Sequence, residues 1–274
     1  MDRTPYEPSP HRITDDTWLI PHTVEAEPGA YLPVSSLLIR GEQPIVVDTG
    51  APVHRQTWFE QIFSLVDPEE IRWIFLSHDD GDHKGNLHEL LDLAPNATLV
   101  ACAFLDEREA LERPLPQHRQ RWLEDGDTLD AGDRQLRLVT PPIFDGPTTR
   151  GLFDERSGVL WAVDAFAALL TGDGYEAGDV TPEVYDDTFH AFNSMISPWH
   201  QWLDPVRYAR HVDTIAGLRP SVVTSSHGPV LRGGAIPDAF RRVKQLAGQP
   251  RVQPPGQELL DELIEATVLA GAAG

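Results

Sequence analysis

The chain has 274 residues, of which 41% are hydrophobic, so it can bury the core of one large domain or two small ones. Its 43 acidic and 22 basic residues give a formal net charge of −21, which argues against nucleic acid or an anionic membrane as the main partner. The single cysteine, Cys102, excludes an intrachain disulfide and a four-cysteine iron site. The sequence shows neither a signal-peptide core nor a long apolar run, so the expected location is the cytoplasm.

Short apolar, partly β-branched runs predict strands in the first hundred residues. Apolar residues at helical spacing predict a helix over residues 54–66, and Asn86 stands where it could cap a helix over residues 87–91. The predicted strands lie at residues 17–20, 35–39, 44–48, 71–76 and 98–103.

The second half of the sequence mixes strands with less regular segments. Residues 104–127 are charged and predict a helix plus a loop, whereas residues 171–205 are rich in Gly, Asp, Pro and aromatic residues and predict an irregular lid. Strands are predicted at 135–139, 150–153, 159–163 and 221–224, and helices at 208–218, 237–246 and 257–269.

Strands grouped between helices predict an α/β (α+β) fold in which two sheets are covered by helices. Residues 1–235 are expected to form one domain that contains the functional site. Residues 236–274 are expected to form C-terminal helices packed on the same domain.

The most informative segment is the loop after the predicted strand at 71–76, which reads Ser-His-Asp-Asp-Gly-Asp-His-Lys-Gly-Asn. It places four potential metal ligands, His78, Asp80, Asp82 and His83, within six positions. Carboxylates this close repel one another unless cations or protons offset their charge. The loop therefore predicts a metal site with more than one ion. A calcium loop is excluded because the required acidic spacing is absent and imidazole is a poor calcium ligand.

Other residues with ligand chemistry follow predicted strands elsewhere in the sequence. A lone aspartate in such a position usually belongs to a turn or a helix cap, and a lone His-Gly-Pro is usually a turn. Packing alone does not predict that so many strands end in a residue of this type. The residues concerned are Asp48, Asp145, Asp164 and His227.

With these residues in view, the sequence resembles the metallo-β-lactamase fold superfamily, an αββα sandwich with one or two metals at its strand ends. The family motif His-x-His-x-Asp-His appears over residues 78–83 with Asp80 in place of the second histidine. A carboxylate there is similar to the flavodiiron branch, which has His-x-Glu-x-Asp-His. The segments Asp-Ala-Phe at Asp164 and Ser-His-Gly-Pro at His227 also resemble that branch, whereas Asp145 stands where the family usually has a histidine.

The resemblance implies a dinuclear site with Asp164 as the bridging ligand. One metal is assigned to His78, Asp80 and Asp145, and the other to Asp82, His83 and His227. Four carboxylates could neutralise two divalent ions, and a site rich in oxygen donors favours iron or manganese over zinc. Two iron ions are therefore the expected cofactors, with zinc or manganese as alternatives.

Flavodiiron proteins carry a flavodoxin domain as their electron source, whereas the residues after His227 look like helices without a flavin loop. The resemblance thus implies a stand-alone di-iron core that binds or reduces O2 or NO, as a sensor or as an oxidoreductase. Its electrons would come from a separate flavoprotein or another reductase. A homodimer would suit such a core.

The alternative is a metal-dependent hydrolase, in which a bridging hydroxide attacks an ester, lactone, amide or phosphodiester. The predicted lid could then enclose an organic substrate. Its residues Tyr185, His190 and His200 are candidates for a supporting role at the metal site, although such residues more often serve only loop packing. A third reading, a degenerate member acting as a binding module, is the least consistent with so complete a ligand set.

Overall fold

Two β-sheets carry the fold in the computed structural model, which describes residues 9–172 and 174–272, with side chains up to residue 265. In chain order the strands of these residues are β1 (His11–Arg12), β2 (Thr17–Ile20), β3 (Thr23–Glu27), β4 (Ala30–Pro33), β5 (Ser36–Ile39), β6 (Ile45–Val47), β7 (Trp73–Phe75), β8 (Thr98–Ala101), β9 (Gln120–Trp122), β10 (Thr128–Asp130), β11 (Gln135–Val139), β12 (Gly151–Asp154), β13 (Val159–Trp161), β14 (Val222–Thr224) and β15 (Leu231–Arg232).

Helices connect and cover the strands. The α-helices are α1 (Arg55–Leu65), α2 (Gly81–Lys84), α3 (Leu87–Leu93), α4 (Ala103–Glu109), α5 (Pro182–Ile196), α6 (Pro205–Ala216), α7 (Ala235–Lys244) and α8 (Gln257–Ala272). Short 3-10 helices lie at Pro52–His54, Pro68–Glu70, Gln117–Arg119, Ala177–Asp179 and Pro198–Trp202.

The strands form two mixed sheets and one short ribbon. The first sheet has the order β1-β2-β5-β6-β7-β8-β9, and the second has the order β10-β11-β12-β13-β14-β15. The ribbon β3-β4 pairs separately. Within the sheets, β6 pairs in parallel with β7, and β13 pairs in parallel with β14. Parallel strands end at the same edge of a sheet, so the residues that follow these four strands are brought together in pairs.

Alternation along the strands sends side chains to two different cores. Leu37 and Ile39 of β5 join Trp161 of β13 in the cluster between the sheets. Leu38 points the other way, toward Trp58 of α1. The outer face of the second sheet packs on α5, α6 and α7. The layers are therefore helix, sheet, sheet and helix, which confirms the predicted fold.

The prediction of an irregular lid over residues 171–205 is wrong for residues 182–196, which form α5. Pro182 occupies the first turn of the helix, where its missing N–H costs nothing. Phe189 and Asn193 are buried on one face of this helix. The many polar residues of this segment lie on its exposed face, and they concealed the helical spacing.

Other differences are smaller. Asn86 precedes α3 as predicted, but its side chain donates to the Thr49 carbonyl, 2.6 Å away, instead of capping the helix. Within the segment 104–127, the edge strand β9 was not predicted. The metal-ligand loop itself contains the four-residue helix α2.

The two C-terminal helices differ in their packing. Helix α7 buries Ile236, Phe240 and Val243 against the second sheet and α6. Residues 257–265 of α8 are all exposed. The proposed division into residues 1–235 and 236–274 stays a prediction. Among the described residues there is no helix long and apolar enough to cross a membrane.

Candidate metal centre

The residues that the sequence predicts as ligands meet at one edge of the two sheets. His78 follows β7, Asp164 follows β13 and His227 follows β14. The short helix α2 places Asp82 and His83 beside them, and the long loop after β11 brings in Asp145. Strands from both sheets therefore contribute to one cluster, as expected for strand ends that face the same edge.

Asp164 lies at the centre of the cluster. Its Oδ2 atom is 3.4 Å from Nε2 of His78, and its Oδ1 atom is 3.1 Å from Nε2 of His83 and 3.4 Å from Nε2 of His227. Three imidazole nitrogens from three separate segments thus point at one carboxylate. This arrangement is compatible with the predicted role of Asp164 as the bridging ligand.

The other carboxylates lie on either side of Asp164. Asp80 Oδ2 is 3.9 Å from His78 Nε2, and Asp82 Oδ2 is 3.0 Å from His227 Nε2 and 3.6 Å from His83 Nε2. Within each of three groups the ligand atoms lie within 4.8 Å of one another. The groups are His78–Asp80–Asp145, Asp82–His83–His227 and His78–His83–Asp164.

The first two groups are the two predicted ligand sets, and the third contains the predicted bridge. The structure therefore brings together all seven residues, including His83 and Asp145. Their assignment as metal ligands stays a prediction.

Unpaired polar atoms indicate that the cluster suits metal ions. His78 Nε2, His83 Nε2 and Asp164 Oδ1 are buried and make no well-aligned hydrogen bond among the described residues, although His83 Nε2 and Asp164 Oδ1 lie within ion-pair distance of each other. A buried polar atom without a partner costs about 1–3 kcal/mol, so native structures rarely leave three of them in one place. All three atoms face the centre of the cluster, where a metal would give each of them a bond.

Asp48 supports the cluster through its contacts with Ser77 and His83. Its Oδ2 atom accepts hydrogen bonds from Ser77 Oγ at 2.7 Å and Trp161 Nε1 at 3.0 Å, and it lies 3.0 Å from His83 Nδ1. Its Oδ1 atom accepts from the Ser77 backbone N–H at 2.7 Å. A carboxylate on Nδ1 fixes the orientation of the His83 ring and directs Nε2 toward the metal site. These contacts engage both carboxylate oxygens of Asp48, which fits a supporting role beside the ligand residues.

The other two imidazoles are oriented in related ways. His227 Nδ1 lies 2.8 Å from the Pro33 carbonyl oxygen, and His78 Nδ1 lies 3.2 Å from Ser77 Oγ. Because a carbonyl can only accept, His227 donates from Nδ1 and has Nε2 available for a metal when it is neutral.

The charges of the cluster compensate one another. Burial by itself would lower the pKa of His83, but the carboxylates of Asp164 and Asp48 raise it well above its usual value. Burial would likewise lower the pKa of His227, yet its hydrogen bond with Asp82 and the charge of Asp164 raise it. These interactions favour the protonated form of both imidazoles, and metal ions would have to displace those protons.

The same interactions shift the pKa values of the carboxylates. Burial would raise the pKa of Asp164, but the charges of His83 and His78 bring it well below its usual range. Burial raises the pKa of Asp80, and the nearby carboxylates of Asp145 and Asp82 add to that rise. The charge of His78 opposes this rise in the pKa of Asp80 but does not cancel it.

Two residues at the site adopt a left-handed backbone conformation that side chains rarely take. Asp48 has φ 59°, and Val163, directly before Asp164, has φ 60°. Such a conformation is unfavourable for a β-branched residue, and strain of this kind is common at functional sites. It turns the chain sharply at the end of the strand and aims Asp164 into the cluster. Nothing in the sequence signals it.

Asp79 is a buried residue of the motif, and it is not among the residues predicted as ligands. Its Oδ1 atom accepts a hydrogen bond from Thr148 Oγ1 at 2.7 Å, and its Oδ2 atom lies 2.6 Å from Arg108 Nε in α4. Asp79 therefore joins the metal loop to the loop that carries Asp145. The signal for it in the sequence is only that it stands between two ligands.

The three residues proposed to support the site from the lid lie among other contacts. His200 is buried between Ser194 Oγ at 2.9 Å and the Leu246 carbonyl at 2.9 Å. His190 is exposed, and Tyr185 packs on Phe189. Among the described residues, no hydrogen bond or ring contact joins these three side chains to the cluster. Their supporting role stays a prediction, and their contacts do not favour the hydrolase alternative.

Comparison with known proteins identifies the family of this chain. A family model described as "ODP family beta lactamase" matches residues 34–228. The putative diflavin flavoprotein A 2 of Nostoc sp. is 34% identical over 72% of this chain and 33% of its own length. The anaerobic nitric oxide reductase flavorubredoxin of Salmonella typhi is 25% identical over 72% of this chain and 41% of its own length. The chain spans about a third of the length of the curated relatives it matches first.

Solved structures show the same fold. Rubredoxin oxygen:oxidoreductase from Desulfovibrio gigas aligns with a TM-score of 0.73 at 17% identity, over 86% of this chain and 61% of that one. The flavodiiron protein from Giardia intestinalis aligns with a TM-score of 0.69 at 19% identity, over 82% of this chain and 59% of that one. The predicted resemblance is confirmed: this is a metallo-β-lactamase-like domain related to flavodiiron proteins, with a buried His/Asp cluster.

Proposed function

The chain belongs to the ODP family of β-lactamase-like domains, and on that premise we propose that its cluster holds two iron ions that bind or reduce O2 or NO. The observation that carries the proposal is the convergence of three imidazole Nε2 atoms on Asp164, at 3.1 to 3.4 Å. One carboxylate shared by two sets of ligands suits two metals and not one.

The donor set supports iron over zinc. The seven residues provide four carboxylates and three imidazoles, with no thiolate, because Cys102 is buried elsewhere, near Thr148. Structural and catalytic zinc sites are mostly built from imidazole and thiolate, whereas oxygen-rich sets suit iron and manganese. Four negative charges also balance two divalent cations.

The protein residues would orient and insulate the ions. Iron in such a site supplies one-electron redox chemistry toward small diatomic molecules. Asp48, Ser77 and the Pro33 carbonyl hold the three imidazole rings in place, so that their Nε2 atoms need little rearrangement on metal binding. His83 is fully buried, whereas the Asp80 side chain is 55% exposed. A small molecule would therefore enter from the side of Asp80 and Asp145.

Any reduction at this site would need an electron donor. Several relatives are named as diflavin flavoproteins or as a flavorubredoxin, and each is much longer than this chain. We infer that a flavoprotein reductase, or another reductase, supplies electrons to this domain when it turns over. Without such a donor the domain would act as a reversible sensor of O2 or NO.

Metal content and spectroscopy test the proposal together. Protein purified from its own host should contain about two iron ions per chain by mass spectrometry, as expected for two sets of ligands around one bridge. Its reduced form should change its absorption and its electron paramagnetic resonance spectrum when O2 or NO is added. Asp164→Ala should lose iron and this response, whereas Asp92→Asn, an exposed acid outside the cluster, should keep both.

Zinc as the only metal in the purified protein would contradict the proposal, as would an iron-loaded protein whose spectra ignore both gases. A stoichiometric response that consumes no reductant would identify a sensor. Continued consumption of O2 or NO in the presence of a flavoprotein reductase would identify an oxidoreductase.

A further inference from the structure

Asp145 is an exposed residue of the cluster, and it lies in a connection without helix or strand, residues 140–150 between β11 and β12. An exposed carboxylate on such a loop normally samples several side-chain conformations. To act as a ligand beside His78 and Asp80 it has to be held in one of them, since ligands keep their geometry through the residues that support them. The contacts of this loop show what holds it.

A single hydroxyl group holds the carboxylate of Asp145. Thr149 Oγ1 donates a hydrogen bond to Asp145 Oδ1 at 3.0 Å. Thr149 is buried, so water competes little for its hydroxyl group, which has only one proton to donate. Within the part of the chain that the structure describes, no hydrogen bond engages Asp145 Oδ2. One oxygen of the carboxylate is therefore fixed by the protein, and the other is left for a ligand bond.

The backbone beside Thr149 is anchored to the segment that carries His78. The Arg150 N–H donates to the Ser77 carbonyl at 2.8 Å, and the Thr149 N–H donates to the Gly146 carbonyl at 3.4 Å. The residue after Thr149 is thus tied to the residue before the metal ligand. The second of these bonds closes a turn that brings the hydroxyl group back toward the acidic side chain it holds.

A buried carboxylate, Asp79, anchors the other side of Thr149. Thr148 Oγ1 donates to Asp79 Oδ1 at 2.7 Å, and Asp79 Oδ2 lies 2.6 Å from Arg108 Nε. Thr148 and Asp79 are both buried, so this contact is shielded from water. The neighbours of Thr149 on both sides are therefore joined to the two neighbours of His78, which fixes Thr149 relative to that ligand.

The residue before Asp145 is fixed as well. The Phe144 N–H donates to Ser197 Oγ at 3.1 Å, and the Phe144 carbonyl accepts from Ser197 Oγ at 2.7 Å and from Trp199 Nε1 at 2.9 Å. The backbone is thus held at Phe144 and again at Thr149. Rotation of the Asp145 side chain is the main freedom that remains between them, and the hydrogen bond from Thr149 restricts it.

We propose that Thr149 is a positioning residue for the first metal position, the one assigned to His78, Asp80 and Asp145. Its hydroxyl group occupies Oδ1, so that Asp145 binds a metal through Oδ2 alone. A carboxylate bound through one oxygen leaves one more coordination position for a small molecule than a carboxylate bound through both. The inference rests on the two-metal site of the proposed function, but it does not require the metal to be iron.

Stepwise metal binding tests this inference. The metal-free full chain is titrated without oxygen against a chromophoric chelator, in separate experiments with ferrous iron, manganese and zinc. Wild type should bind two ions. Thr149→Val removes the hydroxyl group and keeps the β-branched shape, so it should bind one ion as wild type does and the other about 10- to 100-fold more weakly. Thr149→Ser keeps the hydroxyl group and should recover most of this affinity.

A double-mutant cycle separates positioning from a general loss of structure. Asp145→Ala removes the ligand at an exposed position and should weaken the same ion. Adding Thr149→Val to it should change the affinity by less than about twofold, because the hydroxyl group then has no carboxylate to hold. The control Thr214→Val removes an exposed hydroxyl group on α6 and should bind both ions as wild type does.

Asp145→Asn tests the inference without changing the buried threonine. Thr149 would hold the amide oxygen and turn the NH2 group, which cannot bind a metal, toward the site. This variant should therefore bind the first ion as weakly as Asp145→Ala does. Binding close to that of wild type would overturn the inference.

The inference is also overturned if wild type binds only one ion, or if Thr149→Val binds both ions normally or loses both equally. The same holds if Thr149→Ser recovers nothing, or if the double variant is much weaker than Asp145→Ala. Circular dichroism shows whether each variant is folded. A wild type that binds two manganese or zinc ions but no iron would contradict the proposed function, whereas the effects of the Asp145 and Thr149 variants would still be expected.

Discussion

Asp80 stands at a position where, on the sequence resemblance, most of the superfamily has a histidine. Its carboxylate lies 3.9 Å from His78 Nε2 and forms a group with His78 and Asp145. One imidazole and two carboxylates make this half of the site rich in oxygen, which disfavours zinc. The identity of this single side chain thus bears on the metal and, through the metal, on the reaction.

Replacing Asp80 by His should shift the metal preference toward zinc. The change gives the first metal position a second imidazole and removes a carboxylate that lies close to Asp145 and Asp82. When apoprotein is offered equal iron and zinc without oxygen, the zinc-to-iron ratio measured by mass spectrometry should rise about tenfold over wild type. Asp80→Glu, which keeps an oxygen donor, is the matched control and should retain the wild-type ratio. An unchanged ratio in Asp80→His would show that this position does not select the metal.

Asp48 acts on the metal through His83, and Asp48→Asn tests that role. Asparagine tolerates the positive φ of this position, so the backbone is kept. Its amide cannot accept from Ser77, Trp161 and His83 together, which leaves buried donors unpaired. Metal affinity, measured by competition with a chromophoric chelator, should fall about 10- to 100-fold. Ser77→Ala removes one donor and keeps the carboxylate, so its loss should be smaller. Wild-type affinity in Asp48→Asn would contradict the role.

At the scale of elements, α5 supports the loop that carries Asp164. Asn193 of α5 accepts a hydrogen bond from the Phe166 N–H at 2.8 Å and donates to the carbonyl oxygens of Ala167 at 3.0 Å and Phe189 at 2.7 Å. Phe166 has φ 67° and lies two residues after Asp164. A helix on the outer layer thus stabilises an unusual turn at the centre of the site.

Asn193→Ala should therefore weaken both the fold and the site. The substitution leaves the Phe166 N–H and the Ala167 carbonyl buried without partners, which should lower the free energy of unfolding by about 3 kcal/mol. Urea denaturation checks this value, and the chelator competition used for Asp48 should show weaker metal binding. Asp187→Ala, on the exposed face of the same helix, should change neither. A loss of stability without weaker metal binding would separate α5 from the site.

The same elements show how much of the fold and of the site could be predicted from the sequence. The ligand loop and the strand-end positions of Asp164 and His227 could be predicted, because parallel strands bring their ends to one edge and the residue types are distinctive. The left-handed turn at Val163 could not, since valine has no local preference for it and only tertiary packing imposes it. Helix α5 was not predicted because the Gly, Asp and Pro residues of the segment 171–205 are typical of irregular structure.

At the scale of the whole molecule, the cluster joins the two sheets. His78 and His83 come from the first sheet and its helices, whereas Asp164 and His227 come from the second. Metal ions in the cluster would therefore link the two halves of the sandwich. In a protein with a net charge of −21 they would also reduce the repulsion between carboxylates. Global stability should consequently depend on the metal.

Metal removal should destabilise the protein, and more so at pH 8 than at pH 6. The pKa values of His83 and His227 are raised in the metal-free fold. Their contribution to stability is thus complete below the ordinary histidine pKa of about 6.5 and is lost as pH rises through the raised values. Metal ions require neutral imidazole, so the loaded protein gains affinity over the same range. Loading at a thousandfold excess over the dissociation constant should add about 4 kcal/mol.

Urea midpoints of chelated and loaded protein at the two pH values measure this effect. The gap between the two forms should widen from pH 6 to pH 8. His22→Gln is the matched control, because His22 is buried outside the cluster, where burial and then the charge of His54 lower its pKa to about 4. That variant should keep the same widening gap, since His22 is already neutral at both pH values in the folded protein. A gap that is constant with pH, or chelation that leaves the midpoint unchanged, would show that His83 and His227 do not exchange their protons for metal.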